Sequence, residues 1–374
     1  MSDRGVVIVG GNGRLRRELM ARLERSAAGD GVRVVEGCDD PGLDDALASA
    51  QVLVHLERQS CPELDRQAHR EHTARLIDAA DAAGIDHVVL LSSAAAYGAW
   101  ADNPVPLTEE HALRPNPGAD FALDKVEVER RWATWAEGGE GRGLATMRPA
   151  LVVGDDAEQW LAVALRAVTR WGIGEGDGPI QFVHVEDVAA ALALAVDRRL
   201  DGVYNVAPEG WMGGEQVQVL TGTPLRPPVP PPVASALARW CWSRGLGSVA
   251  PELVPYATHP WVVASDRLRG EGWQPVHSGA ETLVEAYPAT PWTRFAAPTR
   301  RVVSLGGGAV VSLAPVLVVL VRRRRRRRTR RSPTPTGLVS LREAGSRARL
   351  PSSSARRRAP RPPRRGRLAR ARAR

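Results

Sequence analysis

Residues 6 to 15 read VVIVGGNGRL. Four apolar residues, a glycine cluster and the start of a helical pattern predict a buried parallel strand, a tight turn and a helix running to about Leu23. A junction of this kind aims unpaired backbone N–H groups and a positive dipole end at the turn, which suits a phosphate. Gly10 and Gly13 let the turn form and let an anionic group come close to the backbone. The same glycine pattern also serves plain turns, so the segments that follow decide its meaning.

Those segments alternate strand and helix. Gly31 to Asp40 (GVRVVEGCDD) reads as a second strand ending in acids, Leu43 to Ala50 as a short helix and Gln51 to Leu56 as the next strand. A helix over His69 to Ala83, apolar at Leu76, Ile77 and Ala80, precedes a buried strand at His87 to Leu91. After a proline-rich loop, Pro104 to Pro117, a helix is expected over Asp120 to Trp135 and a strand closing at Arg148-Pro149.

Five stretches recur in a fixed order: VLLSSAAAYG (89–98), FALDK (121–125), MRPALVVG (147–154), FVHVEDVAAALALAV (182–196) and GVYNVAP (202–208). With the glycine turn, this set resembles the extended short-chain dehydrogenase/reductase family, the NAD-dependent epimerase/dehydratase type, over Val6 to Trp273. The resemblance implies an α/β fold, a Rossmann-type doubly wound parallel sheet with a smaller C-terminal substrate lobe. The domain would span 1–290, with its core in about 1–150 and lobe elements in about 155–180 and 208–290.

The resemblance also implies a cofactor, NAD, with NADP left open, lying on Gly10, Gly11, Gly13, Leu15, Asp39, Leu56 and Lys125. In the second strand's place, Asp39 would hold the adenine ribose hydroxyls and repel a 2′-phosphate. The same residues also resemble the family's third strand, and one strand-helix step is shortened or missing between them and Gln51. The family's chemistry uses a tyrosine to move the substrate proton, a lysine four residues later to lower that tyrosine's pKa, and a serine on the substrate oxygen. Residues i and i+4 share a helix face, so an ammonium can favour a nearby phenolate. Ser93 matches the serine and Lys125 the lysine, but the tyrosine position is Phe121, which has no proton to give.

Other departures bear on the cofactor. The third glycine of the turn is Arg16, whose side chain is expected to hinder close packing of helix on strand. Glu57 stands where an alanine is expected, a carboxylate close to the phosphates. Tyr97, four residues after Ser93, is the substitute proton donor to consider, and Asp124 could pair with Lys125. His69 and His72, at the family's asparagine and glycine, are expected to be solvated, with no third ligand for a metal. His184 and Asp187 are expected to shape a strand-to-helix junction.

The chain's charge is unevenly spread. It carries +9 overall, and Arg322 to Arg374 holds 22 arginines and one acid, a net of +21, which leaves residues 1–321 at −12. Three cysteines, Cys38, Cys61 and Cys241, argue against a disulfide framework and fit a reducing cytoplasm. The first strand begins within five residues of Met1, so no cleavable leader is expected. The 20 uncharged residues of Val302 to Val321 have the nominal length of a membrane span. A span there would carry the arginines across the membrane, against the positive-inside tendency, so surface association with anionic lipid is the better membrane reading. The tail itself is of a composition expected to be disordered, and could contact nucleic acid or an anionic membrane surface non-specifically, or carry no selected function. Expected partners are otherwise a small-molecule substrate and, left open, a second copy in a homodimer. Eleven tryptophans read as core and lobe packing, with a flat apolar substrate pocket as the alternative.

Overall fold

Val6 to Gly10 form β1, and every residue in it is buried. A strand apolar on both faces needs cover on both, and β1 has a parallel neighbour on each side: β2 (Val32–Val35) and β3 (Val52–Leu56). With β4 (His87–Leu91), β5 (Gly143–Pro149) and β8 (Gly202–Val206), the sheet runs β2-β1-β3-β4-β5-β8, parallel throughout. These observations come from a computed structural model, which describes residues 5–26 except Asn12, 31–56, 66–154, 179–213, 250–286 and isolated turns between 216 and 244. The chain divides into two units, Met1–Pro315 and Val316–Arg374, and every described residue lies in the first. The expectations for Glu57, residues 155–178, 302–321 and 322–374 fall outside the described residues.

Alternation along β1 sorts the core into two layers. Val6 and Ile8 join Leu15, Leu19 and Leu23 of α1 (Arg14–Leu23) and the apolar side of α5 (Val185–Arg198). Val7 and Val9 face the other way, towards α2 (Leu43–Leu47), α3 (Arg66–Ala82) and α4 (Asp120–Glu137), with Leu47, Leu76, Val128 and Trp132 in the same cluster. This is the doubly wound arrangement, and it follows from the two-residue period of a strand. Among the described residues no strand lies outside β2. It therefore sits beside β1, where the second strand of such folds belongs, and one strand-helix step is absent on that side.

After β5, Ala150 leads into a second small parallel sheet of β6 (Leu151–Val153) and β7 (Phe182–His184). The proline-rich loop is tied to the C-terminal part: the Leu107 N–H donates to the Val262 carbonyl at 2.8 Å, and the Ala264 N–H to the Leu107 carbonyl at 2.8 Å. There the chain makes α6 (Val254–Thr258), α7 (Asp266–Gly270) and α8 (Gly279–Ala286). His184 and Asp187 shape the junction as expected. His184 Nδ1 accepts from the Glu186 N–H at 3.3 Å, and the Asp187 carboxylate accepts from the Val276 and His277 N–H groups at 2.8 and 3.0 Å. The tryptophans divide: Trp132, Trp135, Trp261 and Trp273 are buried, whereas Trp211, Trp240 and Trp242 are exposed. Among the described residues no helix is long and apolar enough to cross a membrane.

Candidate active site

The glycine turn rests on the end of β3. Gly10 has φ +84°, and a Cβ there would stand 2.2 Å from the Leu56 carbonyl oxygen. Gly11 has φ +59° and would meet the Leu56 side chain at 3.0 Å. Gly13 then caps α1 with no side-chain hydrogen bond, and no acid occupies the first turn. The turn therefore leads directly into the N-terminal end of α1, the end whose dipole favours an anion. Gly10→Ala is expected to abolish dinucleotide binding and to lower stability by about 1–2 kcal/mol for the left-handed backbone alone, before the clash with Leu56 is added. Cofactor fluorescence titration and thermal melting of one variant would check both.

Arg16 does not hinder the packing of α1, contrary to the sequence expectation. Its guanidinium turns outward to Glu36 Oε1 at 2.9 Å, while Leu15, Leu19 and Leu23 stay buried. Arg14, at the first position of α1, is held by Glu186 and Glu285, so its charge is shared with two carboxylates.

Ser93 follows β4 and caps the 3-10 turn Ala94–Tyr97, its Oγ accepting from the Ala95 N–H at 3.2 Å. Helix α4 packs on this turn and brings Phe121 and Lys125 with it, one helical turn apart. The three residues expected to share the reaction centre are therefore carried by two elements in contact. Phe121 is half-buried and its ring packs on Tyr256, centroids 5.2 Å apart at 56°. Tyr256 in turn meets Trp261 edge-on at 5.5 Å and donates its hydroxyl proton to the Ala95 carbonyl at 3.0 Å. Burial pushes the Tyr256 phenol well above its usual range. The ring at position 121 is thus one of three aromatics in tilted and edge-on contact beside the serine turn.

Lys125 is buried, and beside it Asp124 is 1% exposed. Asp124 is paired across to α3. Its Oδ2 lies 2.6 Å from Nδ1 of His69, which reaches over from α3. The expectation of a solvated His69 is therefore wrong: it is 6% exposed and paired. Below it, His55 of β3 accepts from the Trp132 indole N–H at 3.0 Å through Nδ1, a nitrogen that consequently carries no proton. Burial, then the nearby positive charge of His69, Lys125 and His72, lowers the His55 pKa to about 3. His55 and His69 make a buried imidazole floor in this part of the core, near enough to Lys125 for its charge to be felt at His55.

Tyr97 has other work. Its hydroxyl donates to Asn205 Oδ1 at 3.0 Å and accepts from Arg148 Nη1 at 2.8 Å, and the side chain is buried. Burial raises its pKa while Arg148 pulls the other way. Arg148 also makes a two-pronged pair with Glu129 of α4, at 3.1 and 2.6 Å, and Glu129 accepts from the Ser92 hydroxyl. The phenol is a structural member of a buried network tying β4, β5, β8 and α4, a poor substitute for a mobile proton donor.

Asp39 lies at the other end of the site, past the end of β2, and is 72% exposed in its side chain. Arg75 of α3 holds its Oδ1 at 2.6 Å. His72 is not solvated either. It is half-buried against Cys38, whose Sγ lies 2.8 Å from its Nδ1, so the expectation of a solvated His72 fails. Residue patterns along single elements missed these contacts. Cys38 and His72 are 34 positions apart, and Asp124 and His69 lie on different helices.

A parallel doubly wound sheet whose first strand runs through a glycine turn into the N-terminus of a helix is the architecture of a dinucleotide-binding protein. The chain belongs to the NAD-dependent epimerase/dehydratase family, whose sequence profile matches residues 7–207. Among solved structures it is similar to the UDP-glucose 4-epimerase of Thermus thermophilus in complex with NAD. That likeness has a TM-score of 0.54 at 19% identity and covers 75% of this chain and 97% of the other. An uncharacterised protein of Sinorhizobium fredii is 29% identical over 228 residues, and the match spans 58% of this chain and 56% of that relative's length. The 2′-dehydrokanamycin reductase of Streptomyces kanamyceticus is 29% identical over 248 residues, covering 59% of this chain and 68% of that enzyme.

Proposed function

We propose that the chain binds a nicotinamide dinucleotide, NAD in preference to NADP, and acts as an epimerase/dehydratase-like oxidoreductase on a nucleotide sugar or similar hydroxyl-bearing metabolite, with proton transfer impaired at Phe121. The glycine turn carries this reading. Gly10 lies so close to Leu56 that any side chain would collide with the strand, and this bare turn leads into the N-terminal end of α1, which favours a diphosphate. The bound dinucleotide supplies hydride transfer. In this reading Ser93 would hydrogen-bond the substrate oxygen and Lys125 would hold the nicotinamide ribose, while Leu15 and Leu56 line the turn. The substrate class rests on the family and on the sugar-nucleotide epimerases of similar fold.

The preference for NAD follows from the sheet. Because β2 pairs directly with β1, the acids after it fall where a ribose carboxylate is expected. Glu36 is occupied by Arg16, which leaves Asp39, held at one oxygen by Arg75, as the carboxylate for the ribose. Titration with NADH and NADPH, followed by fluorescence and calorimetry, is expected to show tighter binding of NADH. A preference for NADPH would remove Asp39 from the ribose, and failure of both to bind at millimolar concentration would overturn the function as a whole.

One observation favours a second reading, a non-catalytic dinucleotide-binding sensor or scaffold. Phe121 is packed on Tyr256, which in turn meets Trp261, as a residue kept for shape would be. Both readings place the protein in the cytoplasm, with a homodimer open to test and the arginine-rich tail contacting phosphates of nucleic acid or anionic lipid.

A further inference from the structure

We propose that Cys38 is an activated thiol that exchanges with low-molecular-weight disulfides, and that the resulting mixed disulfide closes the adenosine end of the dinucleotide site. The second half rests on the function proposed above; the first does not.

The argument begins with a proton. Cys38 sits on the turn after β2, half-buried and unbridged. His72, from α3, spans that turn with both ring nitrogens: Nε2 accepts from the Cys38 backbone N–H at 3.3 Å, and Nδ1 lies 2.8 Å from Sγ. A nitrogen that accepts a hydrogen bond carries no proton, so the proton of the neutral ring is on Nδ1, the nitrogen 2.8 Å from Sγ and 4.0 Å from Asp39 Oδ2. A donor fixed on sulfur stabilises the thiolate over the thiol. Gly37 is what lets the ring close down, since a Cβ there would stand 3.0 Å from His72 Cε1.

The surrounding charges leave that preference in place. Arg75, one turn along α3 from His72, is held over this turn by Asp39, which brings a guanidinium charge to the neighbourhood of Cys38. Of the acids on the turn, Asp39 is paired with Arg75 and Glu36 with Arg16. Asp40 folds back to accept from the Glu36 and Gly42 N–H groups at 3.2 and 2.9 Å. Cys38, Asp39 and His72 also place three ligand atoms within 4.8 Å of one another. The imidazole, however, offers sulfur a proton where a cation would need its lone pair, and Asp39 is committed to Arg75. The set suits an anionic sulfur better than a metal ion.

In the exchange, the Cys38 thiolate attacks one sulfur of a disulfide R–S–S–R. A new S–S bond forms as the old one breaks, and R–S⁻ departs and takes a proton from water. Cys38 is oxidised and the departing thiol reduced. The adduct would project beside Asp39, the carboxylate assigned to the adenine ribose, and so exclude the nucleoside.

The test uses the full chain with iodoacetamide and oxidised glutathione as probes, reading Cys38, Cys61 and Cys241 separately by peptide mass spectrometry. Cys38 is expected to alkylate at pH 6.5 at least about 10-fold faster than a free cysteine, whose pKa is about 8.5. In His72→Ala the rate should fall to the free-cysteine value, with an ordinary pH profile. Thermal melting shows whether that variant folds, and the pH profile of the unaltered chain tests the thiol if it does not. A Cys38 that follows the free-cysteine profile in the unaltered chain overturns the proposal. Glutathionylation should weaken NADH binding at least 10-fold in the unaltered chain and leave Cys38→Ser unaffected, and bound NADH should slow alkylation. Fast alkylation with neither effect, in a chain that binds NADH, overturns the gating. A chain that binds no dinucleotide overturns the function instead, and leaves the alkylation rates to decide on the thiol.

Discussion

Phe121→Tyr is expected to raise turnover of the cofactor roughly 10²- to 10⁴-fold over the unaltered chain, the contribution a positioned proton donor ordinarily makes. The variant adds one oxygen to a ring already placed one helical turn from Lys125, on the helix that packs against the Ser93 turn. An ammonium on the same helix face would favour the phenolate. The ring keeps its place against Tyr256, so stability should change little if the hydroxyl finds Ser93 or the cofactor ribose. Without a partner it would cost about 1–3 kcal/mol. Turnover over a panel of nucleotide sugars and a melting curve can be taken from one preparation. New turnover in a stable variant supports the oxidoreductase reading. A destabilised variant that stays inactive means position 121 packs in a closed site, and the sensor reading takes its place.

Glu129→Ala is expected to destabilise the protein by about 3–5 kcal/mol. Glu129 and Arg148 are 6% and 5% exposed, and each guanidinium edge used by the pair has its own carboxylate oxygen. Burial works against the charge on Arg148, but Glu129 outweighs it and holds the guanidinium more firmly protonated than in water. Removing the carboxylate strands that charge in the core and takes the acceptor from Ser92. Removing both partners together, as Glu129→Leu with Arg148→Met, should cost less than the single change, because no buried charge is left alone. Urea unfolding measures both. A loss below about 1 kcal/mol for Glu129→Ala would mean that water reaches the pair.

Part of the imidazole floor was legible in the sequence and was overlooked. His69 precedes Thr73 by four, Leu76 by seven and Ala80 by eleven residues, and these four share the buried side of α3. A histidine on an apolar helical stripe is a buried histidine in need of a partner. Its partner, Asp124, could not be named from α3 alone, because it is supplied by α4 packing alongside. The same holds for Tyr97, whose sequence position four residues after Ser93 suggested a proton donor. Its hydroxyl meets Arg148 and Asn205 from strands 51 and 108 positions away.

The sequence by itself determined the strand-turn-helix at Val6 to Leu23, the alternation that makes the sheet parallel, and a side chain with no proton to give at Phe121. Each depends on periodicity, on the backbone freedom of glycine or on the chemistry of one side chain, and all of these are local. Tertiary structure alone decided that β2 takes the seat beside β1, that His72 closes over Cys38, and that Glu129 and Arg148 neutralise each other inside the core. Those outcomes depend on which elements pack together and at what register, and a buried polar group takes whatever partner that packing brings within hydrogen-bond reach.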